Sequence, residues 1–218
     1  MGTITIEIRF TVEIVEMESI YGDHLPELEE TLEQLKGEVE LIRQQMKAET
    51  GFDPVEHVLA RIKSEQSMRE KCRRRGFPET TQSALTKIHD AVGIRIVCAF
   101  LSDVYAIRDR ILELPDVKLL EEKDYIRRAK PNGYRSLHLI LLISGHVHAE
   151  IQLRTISQDT WAALEHQMRY KKIISGNTAL IGEELKRCAD ELASTDVSMQ
   201  TIRDMIWNSA PPDETASA

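Results

Sequence analysis

The side chains most suited to chemistry lie in two adjacent stretches. In YRSLHLILLI (134–143), Tyr134, Ser136 and His138 alternate with Leu137, Leu139, Leu141 and Ile143; in VHAEIQLR (147–154), His148, Glu150, Gln152 and Arg154 alternate with Val147, Ala149, Ile151 and Leu153. A strand sends alternate side chains to opposite faces. A three-residue turn at Ser144-Gly145-His146 pairs Ile143 with Val147. That register sets His138 opposite Gln152, Ser136 opposite Arg154 and Ile140 opposite Glu150. A slip of one residue would mix the two faces throughout. One face therefore gathers an aromatic ring, a hydroxyl, an imidazole, a carboxylate, an amide and a guanidinium. A solvated outer face is the commoner fate of a polar strand face, but Tyr134 and Ile140 share this one, and its polar types are those of a lined cleft.

Two further groups add charge. Between residues 61 and 75, Arg61, Lys63, Arg69, Lys71, Arg73, Arg74 and Arg75 stand against only Glu65 and Glu70, a local inversion in a chain of net charge −8. Ser67 and Lys71 are four apart, as on one helix face, and Arg forks with Lys point charges suit a polyphosphate. Cations at a helix C-terminus are also favoured by its dipole alone, which explains Arg73–Arg75 equally well. In HDAVGIRIV (89–97), Asp90 precedes a strand that carries Gly93 and Arg95. A carboxylate there and another at Glu150 on a neighbouring strand are what a magnesium site for nucleotide phosphates needs, with the remaining ligands from phosphate and water. Taken alone, an Asp before a strand is more often a turn residue. No GxxxxGK[ST] or GxGxxG is present, and no Ser/His/Asp elbow or zinc spacing. His166 suits packing or a phosphate contact better than a nucleophilic role.

The elements that must position these groups alternate in type. Asp53-Pro54 reads as an N-cap and first-turn proline of a helix to about Arg75, which places Arg61 through Lys71 on one helix. Residues 92–100 read as a strand, 103–114 as a helix, 117–121 and 124–127 as two short strands. The hairpin follows, its first strand opening at Tyr134, and then a helix over 156–172. Apolar residues at Leu25, Leu28, Leu32, Leu35, Val39, Ile42 and Met46, and again at Ile181, Leu185, Cys188, Leu192, Thr195, Met199, Ile202 and Ile206, step by three and four. Such seams serve either helix pairing between subunits or packing onto the sheet. The fold class is α/β (α+β), a small mixed β-sheet flanked by helices. Residues 1–20 form an N-terminal extension, whose alternating Ile4, Ile6, Ile8, Phe10, Val12 and Ile14 read as an added strand or a non-native leader. Residues 21–209 form the domain and 210–218 a disordered tail.

Composition sets bounds. With 42% hydrophobic and 29% charged residues the 218-residue chain suits one domain with helical extensions. Cys72, Cys98 and Cys188 are odd in number and lack metal-ligand spacing, so they read as reduced thiols in a cytoplasmic protein. No signal peptide or membrane span is visible. The acidic balance argues against a general nucleic-acid binder.

HDAVGIRIV, DYIRRAKPNGYRSLHL (124–139), EIQLRT (150–155) and EHQMRYK (165–171) resemble the synthetase domain of the RelA/SpoT-type alarmone enzymes, and ARIKSEQSMREKCRRR (60–75) is similar to their ATP-binding helix. The resemblance spans roughly residues 25–205 and, with the bracketing helices, is nearest to the small stand-alone alarmone synthetases. It implies a nucleotidyltransferase-like synthetase fold and a reaction: pyrophosphate moves from ATP to the 3′-hydroxyl of GDP or GTP. It further implies that Arg61 and Arg95 sandwich adenine, that Lys63, Ser67, Lys71 and Arg74 hold the ATP phosphates, and that Asp90 and Glu150 hold Mg²⁺. Glu150 would also take the hydroxyl proton. Tyr134 would stack on the acceptor base, with Lys130, His138, Gln152 and Arg154 around the acceptor nucleotide. Asp159 falls beside that base, where many relatives carry Asn. Leu59-Ala60 stand where several relatives have Thr-Gly. The partners implied are ATP, GDP or GTP and further copies of the chain, as a tetramer, with no membrane and no stable nucleic-acid partner.

Three other readings compete. A toxic relative would place pyrophosphate on the 3′ end of tRNA with the same ATP site; acidic charge and a compact acceptor face disfavour it. A catalytically dead interaction module would have lost Asp90, Glu150 or Tyr134, and all three are present. A nucleotidyltransferase would need a closer carboxylate pair than the sequence shows.

Overall fold

The computed structural model describes residues 18–170 and 178–208, so residues 1–17 of the extension, the last two residues of the helix expected over 156–172 and the tail at 210–218 lie outside the described residues. Helix α1 (Leu25–Thr50) is followed by β1 (Val55–Ile62), α2 (Glu65–Arg75), α3 (Thr81–Thr86), β2 (Val92–Cys98), α4 (Leu101–Leu112), β3 (Val117–Asp124), β4 (Leu137–Ile143), β5 (Val147–Thr155), α5 (Ile156–Tyr170) and α6 (Thr178–Asn208). The five strands form one sheet in the order β1-β2-β5-β4-β3. Only β2 and β5 run parallel, so the sheet is mixed, as expected.

The hairpin register is the one read from the sequence: Ile143 faces Val147, Ile140 faces Glu150 and His138 faces Gln152. Leu137, Leu139, Leu141, Ala149, Ile151 and Leu153 are fully buried on the core face, in one cluster with the apolar residues of α1 and α4. The α1 seam is spent on this core: Leu28, Leu32, Leu35, Val39, Ile42 and Met46 are all buried within the chain. The α6 seam behaves otherwise. Ile181, Met199, Ile202 and Ile206 are exposed, and the helix instead buries Ala189 and Asp196. Thr155 donates to Asp196 at 2.6 Å, and Arg203 donates to Asp103 of α4 at 2.8 Å.

Three expectations are corrected. The stretch after Asp53-Pro54 is a strand, so Arg61 and Lys71 do not share a helix. The N-cap signal lost to sheet pairing: β1 completes the sheet edge against β2, and Asp53 instead accepts the Val55 N–H at 3.2 Å. The true N-cap is Ser64, whose hydroxyl accepts the Ser67 N–H. The two short strands at 117–127 are one, β3, irregular between Leu119 and Glu121. Strand β4 begins at Leu137, and Tyr134–Ser136 approach it as irregular chain.

Arg43 forks onto Asp53 at 2.8 and 2.9 Å, fastening α1 to the start of β1. These hydrogen bonds hold the Asp53 carboxyl at about 2, below its ordinary 3.8. A carboxylate depressed on folding stabilises above its unfolded value and loses that contribution as pH falls through the folded one. Arg43→Leu is therefore expected to cost about 1 kcal/mol at neutral pH, after discounting for solvent screening. Urea unfolding of both proteins should show the gap closing between pH 4 and pH 2, and a gap independent of pH would refute the pairing.

Candidate active site

A cleft of about 350 Å³ opens on the sheet face opposite the core, lined by Leu59, Ala60, Arg61, Lys63, Asp90, Gly93, Ile94, Arg95, Glu150 and Gln152. Strand pairing builds it. Arg61 lies opposite Gly93, Leu59 opposite Arg95, and Gly93 and Arg95 lie beside Glu150 and Gln152. Asp90, just before β2, receives Lys63 Nζ at 3.1 Å and Lys71 Nζ at 2.5 Å on its Oδ2. Helix α2 thus presents its Lys71 face to the cleft, and Ser67 and Arg74 share that face by spacing. Neither of the two lines the cleft: the Ser67 hydroxyl meets Ser64 at 2.9 Å, and Arg74 is exposed.

Beside Glu150 and Gln152 the side chains close into a ring. Arg154, 4% exposed, donates to the Tyr134 hydroxyl at 2.7 Å and to Gln152 Oε1 at 3.2 Å. Tyr134 Oη is 2.8 Å from His138 Nε2, His138 Nδ1 is 2.9 Å from Glu150 Oε1, and Gln152 Nε2 donates to Glu150 Oε2 at 3.0 Å. Both ring nitrogens of His138 are thus engaged, Nε2 by the Tyr134 hydroxyl and Nδ1 by the Glu150 carboxylate. Burial pushes the Glu150 carboxyl up, but the hydrogen bond and pull of His138, the Gln152 amide and the Lys71 charge outweigh it and hold it at about 2.

Asp159, in the first turn of α5, links this ring to Arg95 of the cleft. It accepts from Arg154 at 3.0 Å and lies 3.5 Å from Arg95. Thr155 and Gln158 cap that helix reciprocally, backbone N–H to side-chain oxygen at 3.2 Å each way, which sets the Asp159 position. Burial, then the nearby Arg154 charge, lower the Arg95 guanidinium from its usual range, and its buried Nε has no hydrogen-bond partner among the described residues. Lys130 Nζ sits over the rings of Tyr125 and Tyr134, at 4.4 and 4.8 Å from their centroids.

All fourteen candidate residues thus fall on this face or on the helix and loops around it, Ser67 and Arg74 at its periphery. Sequence reasoning gave no role to Tyr125, whose ring meets both Tyr134 and His138 edge-on, nor to Arg135. The DYIRRAKPNGYR run held both, but a loop carries no periodicity from which a direction can be read.

The residues fit a divalent cation that takes most of its ligands from a phosphate chain. Asp90 Oδ1 is buried without a partner, Glu150 stands ionised in the same cleft, and among the described residues no cluster of three or more His, Cys, Asp or Glu holds a metal alone.

A mixed five-stranded sheet with two carboxylates set among cations defines a phosphate-handling nucleotide site. The profile described as "Region found in RelA / SpoT proteins" matches residues 60–174. The chain is 37% identical over 179 residues to the GTP pyrophosphokinase YwaC of Bacillus subtilis, covering 79% of this chain and 85% of the relative. It is 33% identical over 182 residues to the GTP pyrophosphokinase YjbM of the same organism, covering 80% and 84%. Among solved structures it is similar to small alarmone synthetase 1 of B. subtilis bound to its product pppGpp (TM-score 0.74, 29% identity, 85% and 96% of the chains) and to small alarmone synthetase 2 (0.73, 36%, 84% and 97%). The chain belongs to the RelA/SpoT family, on the small alarmone synthetase side of it.

Proposed function

We propose that the protein transfers pyrophosphate from ATP to the 3′-hydroxyl of GDP or GTP, making the alarmones ppGpp and pppGpp. The observation that carries this is a cleft that gathers Arg61, Lys63, Asp90 and Arg95, with Glu150 and Gln152 on its wall hydrogen-bonded to an ordered Tyr134–His138–Arg154 network beside it. The B. subtilis synthetase 1 structures bound to pppGpp and to AMPCPP support it, being similar to this chain across 85% of its length.

In this reading Arg61 and Arg95 receive adenine, and Lys63 and Lys71, with Ser67 and Arg74 beside them, receive the phosphates. Tyr134, Lys130, His138, Gln152, Arg154 and Asp159 hold the acceptor. The O3′–Pβ bond forms as the bridge between the α- and β-phosphates breaks, and AMP leaves. Mg²⁺, when bound between Asp90, Glu150 and the phosphates, would neutralise charge on the transferring group. A carboxylate held at about 2 is a weak base toward a free hydroxyl. Glu150 therefore acts first as a hydrogen-bond acceptor that aligns the nucleophile, and takes the proton late, once the bond to phosphorus has made it acidic. A cytoplasmic location and a tetramer complete the proposal. The exposed apolar face of α6 supports the tetramer, and among the described residues no helix is long and apolar enough to cross a membrane.

ATP labelled on its terminal phosphates, with Mg²⁺ and in parallel GDP, GTP or deacylated tRNA, tests the reading. Label on the guanosine nucleotides is the expected result. Label on tRNA alone would make the protein the tRNA-directed relative, which nothing in the comparisons supports.

A further inference from the structure

The loop that presents Lys130 and Tyr134 is tied to a helix outside the cleft. Gly133 has φ +92°, and a Cβ added there would stand 2.7 Å from the Ala189 Cβ of α6, so helix and loop meet at backbone contact. Arg135, the next residue but one, turns away from the cleft. One of its nitrogens donates to Gly133 O at 3.1 Å and to Ala189 O at 3.3 Å, and another to Asp190 Oδ1 at 2.8 Å. The loop also closes on itself, Gly133 N–H to Lys130 O at 2.8 Å and Lys130 N–H to Tyr134 O at 3.1 Å. A planar guanidinium that joins two main-chain carbonyls and a carboxylate fixes both distance and angle between the parts it bridges. The Arg135 side chain is only 17% exposed, which shields its bonds to the two carbonyls, while Asp190, 45% exposed, meets solvent.

We propose that Arg135 is a positioning residue for the acceptor nucleotide: it locks the 130–134 loop onto α6, and the helix thereby sets where Lys130 and Tyr134 stand. This rests on the synthetase reading for what the loop holds, but the mechanical claim is independent of it. Arg135 itself does not reach the cleft. Its loss acts on acceptor binding and leaves the ATP end, built from β1, α2 and β2, as it was.

Arg135→Ala is expected to raise the KM for GDP or GTP about tenfold or more, the scale of losing charge-assisted hydrogen bonds. The KM for ATP and kcat at saturating acceptor should stay within about twofold. Arg135→Lys keeps the Asp190 pair but cannot fork onto two carbonyls, and should recover only part of the loss. Hydrogen exchange, which needs no turnover, should show faster exchange at the 130–134 amides in Arg135→Ala than in the wild type, with the sheet unchanged. Equal effects on both nucleotides, a fall in kcat alone, or unchanged exchange in the loop would each overturn the proposal. If wild-type protein transfers nothing to guanosine nucleotides, the synthetase reading fails while the exchange result still decides the role of Arg135.

Discussion

Glu150→Gln is expected to lower pyrophosphate transfer by about 10³-fold or more while the protein stays folded, the largest effect of any single conservative change here. In the proposed mechanism the carboxylate aligns the hydroxyl, accepts its proton and would face the metal, and general-base loss alone accounts for about 10²–10⁴-fold. The amide is isosteric, so the cleft keeps its shape and His138 keeps an oxygen to donate to. What it cannot keep is the second acceptor toward Gln152: one of the two amides must turn, and Gln152 is also bound by Arg154. That conflict costs about 1 kcal/mol of stability, a few degrees in melting temperature. A thermal melt and the transfer assay on the same preparation separate the two effects. Turnover within tenfold of wild type would show that Glu150 is dispensable and that the proton leaves elsewhere.

How far the sequence reached depended on the kind of signal. The β4–β5 hairpin was legible because a register error would have moved every apolar side chain to the wrong face, so only one pairing was self-consistent. That pairing alone places His138, Glu150, Gln152 and Arg154 together. Arg61 came to the right cleft from the wrong element. Asp53-Pro54 is chemically a helix start, and what decides against it is β2, a partner 30 or more residues away whose pairing a local pattern does not contain. The two seams looked alike, yet α1 is buried and α6 is largely exposed, because seam spacing tells that a helix packs and not against what. The links from Asp159 to Arg95 and from Arg135 to Asp190 were out of reach for the same reason: each joins elements whose approach is set by the finished fold.

The second large effect concerns Asp90. Two lysines converge on its Oδ2 while Oδ1, buried, has no hydrogen-bond partner among the described residues. Burying a carboxylate oxygen without a partner is costly, and a cation shared with a phosphate chain would remove that cost on substrate binding. Asp90→Asn removes the charge at nearly constant volume and releases Lys63 and Lys71 from their counter-ion. Two outcomes then run in opposite directions. A non-hydrolysable ATP analogue should bind the variant at least as well as wild type without Mg²⁺, because both lysines are free for phosphate oxygens. Turnover should fall about 10²-fold or more, because in the proposed site the charge that would draw the metal to the transferring group is halved. Calorimetry with and without Mg²⁺ reads the first and the transfer assay the second. If adding Mg²⁺ strengthens analogue binding equally in both proteins, Asp90 is a tether for the lysines and the metal is held by Glu150 and the phosphates alone.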